Sequence, residues 1–138
     1  MNVRPWIVLM LLLTGCPGEA PCTDCPPIEG TWFLQYLAPD FPCDGGTPAA
    51  PPMTVSITRE GSVLRSAMDG IPLTGTLYEG FEFSLNGQST PIDELVSMRG
   101  IFRPATTADG GDSQLYDGLL TRDLGACHDR RRFTGARY

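Results

Sequence analysis

The sequence has no lysine and a single histidine, and charged residues make up only 19% of it. All ten basic residues are arginine, set against sixteen acids, for a formal net charge of −6. An acidic chain offers no basic face for phosphates, which argues against nucleic acid as a partner. There is no Gly-x-Ser-x-Gly elbow, no phosphate-binding Gly-x4-Gly-Lys loop and no His-rich zinc motif, so the common signatures of hydrolases and nucleotide enzymes are missing. Without a constellation of nucleophile and base, the expectation is a protein that is not an enzyme. No apolar run approaches the ~20 residues a spanning helix needs. At 138 residues the chain suits one domain.

Glycine and proline are plentiful instead, with 16 Gly and 13 Pro, about a fifth of the chain. That implies many turns and few helices, while the 41% of hydrophobic residues is enough for a core. The apolar segment Trp6 to Leu13 follows Arg4 and has the length of a signal-peptide hydrophobic region. It ends in Leu13-Thr14-Gly15-Cys16. This pattern, a branched apolar residue, two small residues and a cysteine, resembles the lipobox of bacterial lipoproteins. The resemblance implies removal of residues 1–15, diacylglycerol on the Cys16 thiol and an N-acyl chain on its new amine. Two or three acyl chains give stable anchoring where one does not. Pro17, where an Asp would favour inner-membrane retention in enteric bacteria, makes the periplasmic face of the outer membrane the expected location. No other cofactor is expected. The mature chain then carries nine Arg and sixteen acids, a side-chain charge of −7, in a compartment that permits disulfides.

Residues 16–27 include four Pro and no apolar period. They read as a disordered tether of roughly 36 Å between Pro17 and Pro27. Residues 28–138 alternate with period two. Candidate strands are Thr31–Leu37, Met53–Arg59, Ser62–Met68, Ile71–Tyr78, Phe81–Leu85, Val96–Arg103, Leu115–Arg122 and Arg132–Tyr138. Turns are expected at Glu60-Gly61, Asp69-Gly70 and Glu79-Gly80, and a single helical turn at Thr90–Leu95, where Thr90-Pro91 can cap it. The pattern predicts an all-β domain, an antiparallel meander of about eight strands that closes or nearly closes into a small barrel. Five glycines recur after an apolar residue and a spacer: Gly30, Gly75, Gly100, Gly118 and Gly135. They suit sharp bends at barrel corners. Gly30-Thr31-Trp32 resembles the Gly-x-Trp opening strand of lipocalins, a family of small ligand-binding barrels. That resemblance implies that Arg137, near the last strand, packs on Trp32, and it suggests a lipocalin-like meander whose mouth takes a small apolar molecule. An envelope protein is the other partner expected.

Apart from Cys16 the cysteines are Cys22, Cys25, Cys43 and Cys127. Cys22-Thr23-Asp24-Cys25 has the redox spacing, but it is followed by Pro26-Pro27 and not by the helix that would lower a thiol pKa. Zinc would require Cys22 and Cys25 to meet two of Cys43, Cys127 and His128. In an oxidising compartment an even set of four favours disulfides, with three pairings open. Cys22–Cys25 with Cys43–Cys127 is the favoured one, because a bridge from Cys43 would order the irregular stretch Ala38–Pro52 and stabilise by ~4–5 kcal/mol through loop closure. Cys127-His128-Asp129 contains catalytic residue types, but neighbours on a strand point to opposite faces, which leaves His128 as an exposed hairpin residue. The run Arg130 to Arg132 reads as a solvated turn that could meet anionic headgroups. Asp109-Gly110-Gly111-Asp112, with Asp117, offers oxygen ligands without calcium-loop spacing and reads as a hairpin loop.

Overall fold

The computed structural model describes residues 20–39, 51–106 and 112–138. Eight strands follow one another: β1 (Gly30–Tyr36), β2 (Thr54–Glu60), β3 (Val63–Met68), β4 (Ile71–Leu77), β5 (Glu82–Ser89), β6 (Glu94–Arg103), β7 (Gln114–Leu124) and β8 (Cys127–Arg137). Each pairs antiparallel with the next, and β8 returns to β1, so the sheet is a closed eight-stranded meander barrel. Closure removes every sheet edge.

Alternation along each strand dictates the interior. Trp32 and Leu34 from β1, Val55 and Ile57 from β2, Leu64 and Met68 from β3 point inward. Leu73 and Leu77, Phe83 and Leu85, Met98 and Phe102, Leu115, Leu120 and Phe133 complete the ring. Trp32, Phe83 and Phe102 are all under 2% exposed, and the Trp32 and Phe102 rings meet edge to face at 6.0 Å. Met53, the first residue of the expected strand Met53–Arg59, is 56% exposed because β2 starts at Thr54.

The tight turns carry the chemistry the sequence requires. Asp69 and Gly70 both have positive φ (51° and 81°) between the paired Met68 and Ile71, the conformation that a two-residue hairpin turn of the favoured twist demands. No helix forms at Thr90–Leu95. Thr90–Asp93 is a turn, with Asp93 at φ 50°, and β6 already begins at Glu94. A cap and a proline at N1 were outweighed by pairing of Glu94 and Leu95 with Ser89 and Gln88.

The five repeated glycines do more than bend strands. A side chain at Gly75 would run into the Ser84 carbonyl, and one at Gly118 would enter the Phe133 ring. Gly135 packs against Leu34 and Leu115. Gly100 and Gly118 flank the register shifts of β6 and β7, where a bulge places Asp117 at φ 48°.

The two rims differ. At one, here the near rim, lie the start of β1, the β2–β3 and β4–β5 turns and the end of β8. At the far rim lie the end of β1, Asp69-Gly70, Thr90–Asp93 and the β7–β8 turn. The tether is shorter than its proline content implies. Pro21 bridges to Tyr78, Cys22 N–H donates to Leu77 O at 2.8 Å, and Glu79 N–H donates to Ala20 O at 3.0 Å. Residues 20–28 therefore lie across the near rim as part of the domain, with Ile28 fully buried.

Candidate functional site

At the near rim Cys22 and Cys25 form a disulfide. Arg59 holds the loop they close. Its Nη2 donates to the carbonyls of Cys22 (2.8 Å) and Thr23 (3.2 Å), and its Nη1 to that of Cys25 (3.4 Å). Beside it, the Arg137 guanidinium sits 5.1 Å from the centre of the Trp32 ring and donates to Pro27 O at 2.6 Å. Trp32 Nε1 donates to Ile28 O at 2.9 Å. Gly30, at φ 140°, leaves room for Arg137 Nε to pass at 3.6 Å from where a Cβ would stand. Gly30, Trp32 and Arg137 thus form a plug that fastens the incoming chain over the near rim. Every polar contact in it is internal, which makes it a structural device.

Cys127 opens β8 at the opposite rim and is also disulfide-bonded. Cys16 and Cys43 lie outside the described residues too, as do Asp109 to Gly111. β8 spans eleven residues, about 36 Å at strand rise. Cys22 and Cys25 at one rim and Cys127 at the other are therefore not brought together as a zinc set. Among the described residues no group of three or more His, Cys, Asp or Glu side chains is arranged to hold a metal ion.

The far mouth holds charged groups that the sequence reading missed. Arg122, from β7, points into the barrel and donates to Glu94 Oε1 at 2.6 Å and to Asp69 Oδ2 at 2.8 Å. Arg122 and Glu94 are 8% and 7% exposed at their side chains. Burial alone would lower the Arg122 pKa. The hydrogen bond and charge of Glu94, with those of Asp69, outweigh it and raise the pKa instead. Next to this pair Arg131 Nε meets the buried Asp129 at 2.9 Å. Tyr36 donates its hydroxyl to Pro52 O at 3.2 Å, and burial, aided by the charge of Asp69, pushes the phenol up to about 12. The signal was present in the strand phase. Glu94 is in register with the inward Val96 and Met98, and Arg122 with Leu120.

The run Arg130 to Arg132 divides in the same way, with Arg131 turning inward and Arg130 and Arg132 standing on the outer wall. Pairing then aligns Arg99 (β6), Leu119 (β7) and Arg132 (β8) in one cross-strand row, with Ser97, Thr121 and Arg130 in the next. Arg99, Leu119, Arg130 and Arg132, with Tyr36 of β1 and Leu37 just beyond it, line a concavity of about 910 Å³. A neighbouring one of about 680 Å³ shares Arg99, Leu119 and Arg130 and adds Ser97 and Thr121. His128 is exposed at its edge, 2.8 Å from Asp123. Arg99, Arg130 and Arg132 make no ion pair within the described residues. This grooved wall is the candidate binding surface. No family model matches the chain, and neither a curated protein nor a solved structure does.

Proposed function

We propose that this chain is a lipid-anchored envelope protein whose small barrel acts as a binding or scaffolding module at the periplasmic face of the outer membrane, working through its outer wall. One observation carries the choice of surface. The barrel interior is filled by its own side chains from Trp32 to Phe133 and its far mouth is occupied by the Arg122–Glu94–Asp69 network, whereas the open concavity lies outside on β6–β7–β8. A lipocalin-like chamber for a small apolar molecule needs empty interior volume. A filled interior favours a macromolecular envelope partner over such a ligand.

Support for the anchor comes from the Leu13-Thr14-Gly15-Cys16 pattern. The docking of Ala20 shortens the leash it would use. Four residues from Cys16 to Ala20 reach about 14 Å at full extension, which keeps the near rim close to the bilayer. The alternative role, zinc or thiol-redox chemistry with Cys22, Cys25, Cys43 and Cys127, would need the Cys22–Cys25 disulfide reduced and the two rims brought together, so the anchored binding module is the stronger reading.

The test is metabolic labelling with palmitate in a bacterial host, followed by membrane fractionation. The wild-type chain should carry label and sediment with outer membranes, and Cys16→Ala should do neither. Label retained by Cys16→Ala, or a wild-type chain recovered unlabelled from the soluble fraction, would overturn the anchoring.

A further inference from the structure

We propose that the outer wall of β6, β7 and β8, with the end of β1, docks an acidic protein segment that carries an apolar side chain between its carboxylates. This names the partner's chemistry for the binding surface described above and rests on that reading for its placement of the wall away from the membrane.

The nine described arginines divide by what they touch. Arg59 and Arg137 donate to backbone carbonyls, Arg65 pairs with Glu60, and Arg122 and Arg131 pair inside the barrel mouth. Arg103 ends β6 toward the near rim. The other three, Arg99, Arg130 and Arg132, are exposed and surround Leu119 on one wall. Arg99 and Arg132 are two strands apart, about 10 Å, and Arg130 and Arg132 are about 7 Å apart along β8. In a chain of net charge −6, three unpaired guanidiniums on one concave face create a local field of opposite sign, which selects and steers an acidic partner. Each guanidinium can take a carboxylate in a bidentate pair.

The centre of the wall is apolar. Leu119 lies between Arg99 and Arg132, and Leu37, 64% exposed, sits beside Arg132, whose carbonyl accepts from Leu37 N–H at 2.9 Å. A free phosphate or a lipid headgroup gains nothing from these leucines, whereas a peptide with an apolar residue between acids uses both. Asp117 at the rim of the groove and Asp123, paired with His128, interrupt the positive field and disfavour a uniformly charged polyanion. Every strand already has two neighbours, so recognition has to come from side chains and not from strand addition. The incoming chain is fixed to the β4–β5 turn, and in an eight-strand ring β4 stands across from β8. A leash attached there turns the arginine wall away from the bilayer.

The experiment titrates the full-length chain, purified in non-ionic detergent, into a fluorescein-labelled EELLEE peptide and reads anisotropy. Binding should saturate and weaken with added salt. Arg99→Ala, Arg130→Ala and Arg132→Ala should each weaken it by roughly threefold to fivefold, and the triple variant by at least ~30-fold. Leu119→Ser should also weaken it, and EEGGEE should bind less tightly than EELLEE. Absence of saturable binding, or a triple variant that binds as well as wild type, overturns the site. Equal binding of EEGGEE together with full displacement by millimolar inorganic phosphate would reassign it as a simple anion site. Arginine-dependent binding to phosphatidylglycerol vesicles would make it a membrane face. None of these readouts depends on lipid at Cys16, so a failed anchor and a failed site give different results.

Discussion

Removing one partner of the Arg122–Glu94 pair should cost far more than removing both. Both side chains are less than a tenth exposed, and Nε and Oε1 are 2.6 Å apart. Glu94→Leu would leave Arg122 facing only Asp69, whose side chain is 38% exposed. An uncompensated buried charge costs about 3–5 kcal/mol, whereas replacing the whole pair by apolar groups is often neutral. Small domains have only about 5–15 kcal/mol in total. At roughly 4 °C per kcal/mol for a domain of this size, the midpoint should fall by about 12 °C or more. Arg122→Leu should be similarly harmful, because it leaves Glu94 buried without its cation. Glu94→Leu with Arg122→Leu should be more stable than either single variant, a coupling that a double-mutant cycle isolates. The assay is thermal and urea unfolding followed by circular dichroism at neutral pH. Single variants within 1 kcal/mol of wild type, or a double variant whose loss equals the sum of the singles, would refute the buried-network reasoning.

Tyr36 makes an alkaline limit. Its phenol is held up at about 12 against an ordinary 10, so the folded state keeps a proton that the unfolded state has lost. The resulting stability is complete below pH 10 and declines as pH rises toward 12, and urea midpoints from pH 8 to 11 should fall less steeply in Tyr36→Phe than in wild type. Cys22→Ser with Cys25→Ser opens a loop of only four residues and should cost about 2 kcal/mol in the loop-closure account; full reduction of the wild type should cost more, because Cys127 is bonded as well. Arg137→Ala removes a cation–π contact and a hydrogen bond to Pro27 and should cost about 1–2 kcal/mol. In a chain lacking residues 1–15, Trp32 is the single tryptophan, so its emission should shift as the near rim loosens.

The barrel itself was legible because inward apolar residues alternate with outward polar ones almost without interruption. The β3–β4 hairpin followed from Asp69-Gly70, whose residue types suit two positive φ values. Strand ends were harder to place. β6 starts two residues before the expected Val96, at a glutamate, and β8 starts five residues before the expected Arg132, in a charged stretch. Both displacements have the same cause. Glu94, Asp129 and Arg131 occupy inward positions, and their charges hide the period in a reading that counts only apolar residues. The repeated Gly100 and Gly118 marked where β6 and β7 bend, but the positive φ of Asp117 in the bulge left no pattern, since it depends on how two distant strands fit. Ala20–Pro27 looked like a tether because its composition resists regular structure, and composition does not reveal the hydrogen bonds it makes to Leu77 and Glu79. The arginine wall needed the register. Arg99 and Arg132 are 33 positions apart in the sequence and meet only through Leu119.

The barrel is filled by its own side chains, and the proposed binding lies on its outside. Native mass spectrometry of the protein purified from a bacterial envelope, gently ionised and then compared with the denatured chain, tests it most directly. A filled barrel should give one mass in both conditions, that of the chain with its disulfides and covalent lipid. A non-covalent apolar adduct, present in the native spectrum and released on denaturation, would contradict it.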